Sequence, residues 1–483
     1  MIMQDAHCPN REPVNFISRL QASPFAGYLN TFFYSPLFPV FIGALALIAN
    51  LFAAELAVYC IYILIGILIS LFGRDYLPII PIVVCSYIAP SVNNNPGRNE
   101  TSIFFGATGV FILCLAAIFV VSLILRLVLD PQIGRAAFFA KKRTFLPGIL
   151  ALGAAYLLAG AFSGHYWDHG YRNLLFAALQ FLSIFLLYYI LCGAVRWETA
   201  PKNHLAWTGL CIGFVLLGEI LGIYLTQDII VNGEVLRELI CTGWGHYNNI
   251  GVLLAMMIPF AFQLACVKKN SWIYYLCGAL FLIGVFVTCS RASILFSCCA
   301  YAASCLVVLF RSRNRRVGLI TNVISIVVVV SLILIFREHL VKLISSMLAN
   351  TDSVSVRQEG YRAGIAQYQK YPIFGGTFYP LDFDLYEYSN VEAFTAFFPA
   401  RWHNTFVQLM ASAGMVGFLA YLAHRWQTIR FVFRKPTVQV LCIAISLGTM
   451  LLCSLLDCHF FNIGPTLIYS MALAFAEHGP ENK

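Results

Sequence analysis

Charge is scarce in this chain: Asp, Glu, Lys and Arg together make up 11% of 483 residues, against 60% hydrophobic side chains. A soluble fold of this length needs far more polar surface to cover its core, so a water-soluble globular protein is excluded. Acids are the scarcer sign, 22 against 31 basic residues, for a formal net charge of +9. A disulfide framework is missing as well. The 16 cysteines lie mostly inside apolar runs such as SILFSCCAYAASC, where they act as small hydrophobes. Only Cys241 and Cys458 fall in or beside connections on the expected outer side, and nothing in their spacing pairs them. No internal repeat or low-complexity tract is present. No cleavable leader precedes the first apolar run, so the first helix is expected to serve as its own insertion signal.

What is present is a series of apolar runs, with a mean hydropathy of +0.78. A bilayer is crossed by about 20 such residues. Hydropathy and helix breakers place spans near 37–53, 55–72, 77–90, 103–130, 146–163, 174–192, 205–226, 248–266, 272–289, 292–310, 317–336, 403–424, 437–456 and 460–476. The third, LPIIPIVVCSYIAP, is short and proline-rich and reads as a half-span or re-entrant piece. The fold class expected is an all-α integral membrane protein of about 12–14 transmembrane helices with one large, partly helical extracytoplasmic loop.

Lys and Arg set the orientation. With both termini cytoplasmic, 21 basic residues lie on inner segments, including Arg74, Arg126, Arg196 and Arg425. The short outer loops hold only Arg98, Arg172, Arg237 and Arg291. That is a positive-inside distribution, so the basic excess serves topology and not nucleic-acid binding. The division is then a cytoplasmic segment 1–36, helices 1–11 over 37–336, an outer loop 337–402, helices 12–14 over 403–476 and a cytoplasmic tail 477–483.

The 66-residue loop is the exception among short connections, and long loops in compact proteins are usually functional or disordered. Its stretch SVRQEGYRAGIAQYQKYP predicts a helix, with Ser355 and Gln358 at capping-box spacing and Pro372 as the stop. Arg357, Tyr361, Gly364 and Tyr368 share one stripe, from which Arg362 points about 140° away. Gly364 leaves a gap where a ligand or another backbone can approach. Such an Arg/Tyr stripe suits lipid headgroups or an anionic group attached to a sugar. Next, eight aromatics fall between Phe378 and Phe398, and Asp382 and Asp384 form a short acidic pair. Two carboxylates alone make a weak metal signal, and the short loop bearing His165, Asp168 and His169 is another weak one. No metal and no cofactor is expected.

Two motifs flank the loop. VTCSRASIL puts Arg291 between two spans, where its planar fork suits phosphate oxygens. RWHNTFVQLMASAG puts His403 at the start of a span. The positive helix end and Arg401 there favour the neutral imidazole that a general base needs. Glu219, inside the seventh span, is an intramembrane acid and so a further candidate.

In order and spacing these pieces resemble the O-antigen ligase and O-antigen polymerase superfamily, bacterial polytopic membrane glycosyltransferases of the GT-C type. Ser290-Arg291-Ala292 matches the family's Ser-Arg-Gly/Ala turn, and Arg357 with Tyr361 matches the loop Arg and the aromatic four residues on. YPIFGG (371–376) matches a Pro-Leu-Phe-Gly-like element. His403-Asn404 followed by Gly414-x-x-Gly417 matches the last motif, and Asn248 or Asn249 opens an earlier span as in the family. Gly375-Gly376-Thr377 departs from the usual Gly-x-Gly, and Ser412 stands where an acid is common.

The resemblance implies transfer or polymerisation of a glycan linked through diphosphate to a polyprenyl lipid, with inversion and without a metal. The setting is the outer face of the bacterial cytoplasmic membrane, in cell-surface polysaccharide synthesis. Arg291 and Arg357 are expected to stabilise the leaving diphosphate and His403 to activate the acceptor. Asn404, Tyr361, Tyr368, Arg362, Arg401, Asn248 and Glu219 are expected to bind substrate. The partners are that donor, a glycan, lipid or protein acceptor, and membrane lipids; nucleic acid is not among them. The competing class is a polysaccharide transporter or lipid-linked-glycan flippase, which usually places its charges at the midplane between paired halves. The polar residues here gather on one loop instead.

Overall fold

A computed structural model describes residues 16–52, 54–86, 107–130, 133, 139, 141–168, 170–231, 234–242, 245–312, 315–335, 337, 341, 345, 352–378 and 402–480. It begins with α1 (Phe16–Gln21), α2 (Pro24–Phe33), α3 (Leu37–Phe52), α4 (Glu55–Phe72), α5 (Ile79–Cys85) and α6 (Ala107–Leu129). Then come α7 (Leu146–Leu157), α8 (Gly164–Asp168), α9 (Gly170–Ala194), α10 (His204–Thr226), α11 (Tyr247–Val267) and α12 (Ser271–Val287). The last six are α13 (Arg291–Arg311), α14 (Arg315–Ile335), α15 (Asp352–Lys370), α16 (Thr405–Arg434), α17 (Val438–Cys453) and α18 (Ile463–His478). Between α10 and α11 lie two antiparallel hairpins, β1 (Ile230–Val231) with β2 (Glu234–Val235) and β3 (Cys241–Thr242) with β4 (Gly245–His246).

This is an all-α integral membrane protein. Six helices among the described residues are long and apolar enough to cross a bilayer, and α2 with α3, bent by 72°, would make a seventh. Each expected span coincides with a helix. The third is the seven-residue α5, packed inward through Ile80, Ile82 and Val84. α11 is apolar all round and buried over almost its whole length, so it forms the centre of the bundle against α10, α12, α13 and α17.

Two boundaries differ from expectation. α15 is described from Asp352, so Ser355 and Gln358 lie inside its first turns and not at its N-terminal boundary. α16 continues ten residues past 424, which makes Arg425 a buried side chain and not a charge on an inner connection. Its guanidinium lies 4.6 Å from the rings of Tyr421 and Phe460 and 4.7 Å from that of Tyr469, whose hydroxyl accepts from Nη1 at 2.8 Å. Aromatic faces are attracted to a desolvated cation, which is why the charge is tolerated there.

α16 is broken at Gly414, whose φ of 61° and ψ of −160° suit only glycine. The YPIFGG element repairs the break. Met415 N and Val416 N donate to the carbonyls of Pro372 and Ile373, while Gly376 N and Thr377 N donate to those of Ala411 and Ser412. Gln367 of α15 bonds both Thr377 O (3.1 Å) and Ala411 O (3.0 Å). Backbone polar groups freed by the kink are therefore satisfied by protein, as burial in a membrane requires. The loop helix α15 and the span α16 are locked together in the process. Alanine at 414 would bring its Cβ to 2.3 Å from Ile373 O, on top of roughly 1–3 kcal/mol of backbone strain. We expect Gly414→Ala to melt several degrees lower in detergent; an unchanged melting temperature would show that the break is not held this way.

At the opposite end of the bundle, buried Arg126 pairs with Asp130 at 2.9 Å. It also donates to the carbonyls of Ile69, Ser70 and Arg74. The cation thereby caps the C-terminus of α4.

Candidate functional site

Connections far apart in sequence meet at one end of the bundle. Arg237, Tyr247, Asn248, Arg291, Ala292, Arg357, Leu456, Asp457 and His459 line a single cavity of ≈30 Å³. That volume holds about two waters, so anything larger than phosphate oxygens would sit at its mouth.

Each side chain is delivered by a definite local structure. Arg291 opens α13 after a tight turn, made possible by Cys289 at φ 55°. The Ser290 hydroxyl lies 2.9 Å from both Asn248 Oδ1 and Ser293 Oγ, and Asn248 Nδ2 donates to Asp457 Oδ2 at 3.2 Å. Arg237, between the two hairpins, has its guanidinium 5.1 Å from the Tyr247 ring. Arg357 comes from α15. Arg237 and Arg357 both act electrostatically on Arg291, whose Nε is buried without a hydrogen-bond partner. Three cations against the single Asp457 carboxylate leave the hollow net positive, which suits an anion.

His403 sits at φ 50°, an uncommon backbone conformation for a non-glycine residue. Next to it, Asn404 caps α16: its side-chain oxygen accepts from Phe406 N (2.8 Å) and Val407 N (3.2 Å). Its amide donates to Leu455 O at 2.8 Å, which ties the start of α16 to the turn that carries Asp457. His403 Nδ1 then lies 3.6 Å from Asp457 Oδ1, an ion-pair distance. Asn404→Ala should lose about 1 kcal/mol of capping and loosen that turn, whereas Asn404→Asp keeps the cap. Thermal unfolding of the two variants checks this, and equal destabilisation would deny the cap its role.

Asp457 is almost fully buried and gathers histidines. His459 Nε2 lies 4.0 Å from Oδ2, and His459 Nδ1 faces Asn249 Oδ1 at 3.3 Å. Burial pushes the Asp457 carboxyl up, but His459, His403 and His246 outweigh it and hold the group well below the usual carboxylate range. A depressed carboxyl stabilises the fold above its unfolded value and loses that contribution as pH falls through the folded one. The difference in melting temperature between wild type and Asp457→Asn should therefore be intact at pH 5 and shrink only below about pH 4. Shrinkage already between pH 7 and pH 5 would contradict this.

Of the residues expected from sequence, Arg291, Arg357 and Asn248 share the cavity, and His403 joins it through Asp457. The Tyr361 hydroxyl donates to His403 O at 3.3 Å, and burial raises its phenol, which keeps it a donor. The gap at Gly364 is occupied by Trp402 and Val407, so the stripe packs on α16 at that point. Tyr368 is half-buried and Arg362 exposed, and neither lines the cavity. Glu219 accepts from Asn50 of α3 and faces a separate cavity of ≈70 Å³ with Thr226 and Thr242. Arg401, Asp382 and Asp384 lie outside the described residues. Among the described residues, a group beside His403 is the Asp457 carboxylate. Cys241 and Cys458 are not joined to each other by a disulfide.

Arg237, Tyr247, Asp457 and His459 were not singled out from sequence. Asp457 had one available signal: it is the sole carboxylate between Arg401 and Glu477, in a short connection.

The fold and site together define a polytopic membrane protein with a cationic, histidine-bearing pocket at one end of its bundle. A family model described as O-antigen ligase matches residues 276–422, which include Arg291, Arg357, Tyr361, His403 and Asn404. That stretch, under a third of the chain, is therefore similar to the O-antigen ligase family. Arg237, Asn248, Asp457 and His459 lie outside the matched stretch and reach the site through the fold. No curated protein matches the chain.

Proposed function

We propose that the protein transfers or polymerises a glycan carried on polyprenyl diphosphate at the outer face of the bacterial cytoplasmic membrane. The observation that carries this reading is the convergence of Arg237, Arg291 and Arg357 on one hollow beside the His403–Asp457 pair. The arginines bind the diphosphate oxygens at the cavity mouth. An acceptor hydroxyl is deprotonated by His403 Nε2 as its oxygen attacks the anomeric carbon from the face opposite the diphosphate. The anomeric C–O bond to the diphosphate breaks, its electron pair leaves with the diphosphate, and the configuration inverts.

Asp457 faces Nδ1, so it selects the tautomer with a free lone pair on Nε2 and stabilises the imidazolium that forms. The 3.6 Å separation is expected to close in the substrate complex. Negative charge grows on the leaving diphosphate, so preorganised cations bind the transition state more tightly than the ground state.

The test is a reconstituted assay with a defined polyprenyl-diphosphate glycan. Ladders from donor alone identify a polymerase, and transfer only to an added lipid, glycan or protein acceptor identifies a ligase. Movement of donor across vesicles with no glycan transfer would overturn the enzyme reading in favour of a flippase.

A further inference from the structure

At the other end of the bundle, α9 and α18 pack side by side and bring three metal-ligand side chains together. The ligand atoms of Cys192, Glu477 and His478 all lie within 4.8 Å of one another. His478 Nε2 is buried, has no hydrogen-bond partner, and lies 3.9 Å from Glu477 Oε2. The ring's hydrogen bond runs instead to the Lys142 backbone carbonyl, and its face stacks on Trp197 at 5.9 Å. A nitrogen lone pair facing a carboxylate oxygen is a pair of acceptors with no hydrogen between them, and the Cys192 S–H beside them is only a weak donor. A cation that displaces the thiol proton relieves the arrangement.

The carboxylate is braced in the same manner. Glu477 Oε1 accepts from Thr144 N at 2.5 Å and from the Thr144 hydroxyl, and Oε2 accepts from the Tyr188 hydroxyl at 2.6 Å. Oε2 keeps a lone pair for the shared space. Outer partners that hold a histidine through its second nitrogen, and a carboxylate through its spare lone pairs, are what orient ligands around a metal. Of the nearby basic groups, Lys141 pairs with Glu198 at 2.9 Å, Arg143 lies 4.0 Å from the Tyr189 ring, and Lys435 Nζ donates to the Glu477 backbone carbonyl at 3.5 Å, leaving the carboxylate to its own partners.

We propose that Cys192, Glu477 and His478 bind a divalent transition-metal ion of the zinc class, which clips the end of α9 to the end of α18. A mixed S, N and O donor set suits zinc, whose bonds of roughly 2.0–2.3 Å need the three ligands to close by about 1 Å or less. Binding forms one bond each to Sγ, Nε2 and Oε2 and releases the Cys192 thiol proton to solvent. No electron is transferred. The site is remote from the arginine pocket and independent of the glycosyl-transfer reading.

Cobalt(II) is the probe, added to the full chain purified in detergent and followed by dialysis. The expected result is about one retained Co(II) per chain with a thiolate-to-cobalt charge-transfer band. Cys192→Ser should abolish the band, and His478→Gln should weaken binding by more than the ~10–100-fold that loss of an outer partner causes. Retention of no cobalt by wild type overturns the proposal, as does an unchanged band and affinity in both variants. If Cys192→Ser fails to fold, judged by gel filtration, the rim variant His478→Gln decides alone: weakened binding supports the site and unchanged binding overturns it.

Discussion

Asp457→Asn is expected to lower kcat for glycan transfer by roughly a thousand- to ten-thousand-fold, with the KM for donor little changed. An amide of the same shape faces His403 Nδ1 with either a weaker acceptor or an N–H donor. It then stabilises the wrong tautomer, and comparable losses follow when a carboxylate that orients a catalytic histidine is replaced. The carboxylate is well suited to orienting His403, being buried, fixed by Asn248 and by Cys458 N at 2.7 Å, and kept ionised by surrounding histidines. His403→Gln should lose a similar amount. The double variant should lose scarcely more, because the two act as a unit. Additive losses, or full activity in Asp457→Asn, would detach the carboxylate from the chemistry.

Truncating the arginines gives the second large effect. Arg291→Ala, Arg357→Ala and Arg237→Ala should each lower kcat/KM by about a hundred- to a thousand-fold, the scale for removing one preorganised group at a developing anion. Lysine at these positions should recover only part of the rate, since it keeps the charge but not the bidentate fork. Arg237 is the sharper case, because the matched family stretch does not include it. If its variant alone keeps full activity, the cavity is a two-arginine site and Arg237 belongs to its rim.

The helical layout was legible because a bilayer constrains every span separately: each needs its own apolar run and its own satisfied backbone. Fourteen runs accordingly became helices. The exceptions occurred where local pattern and packing compete. Arg425 reads as a span-ending charge, yet three aromatic rings from α16, α18 and the turn before it receive the guanidinium inside the bundle. Gly414 reads only as the first glycine of the Gly-x-x-Gly step, but it is a helix break filled by a segment some forty residues earlier.

The chain's own composition and hydropathy determined that it is a basic, polytopic, all-α membrane protein, and its resemblance to the O-antigen ligase family is what grouped Arg291, Arg357 and His403 as one set of motifs. Tertiary structure alone decided that Arg237 and Asp457 line one cavity with Arg291 and Arg357, that Glu219 faces a different cavity, and that Asn404 caps a helix beside His403 and ties it to the turn of Asp457. The reason is physical. Hydrophobic burial is recorded residue by residue along each span, whereas the meeting of loops separated by more than two hundred residues depends on how the helices pack, and no local pattern records that.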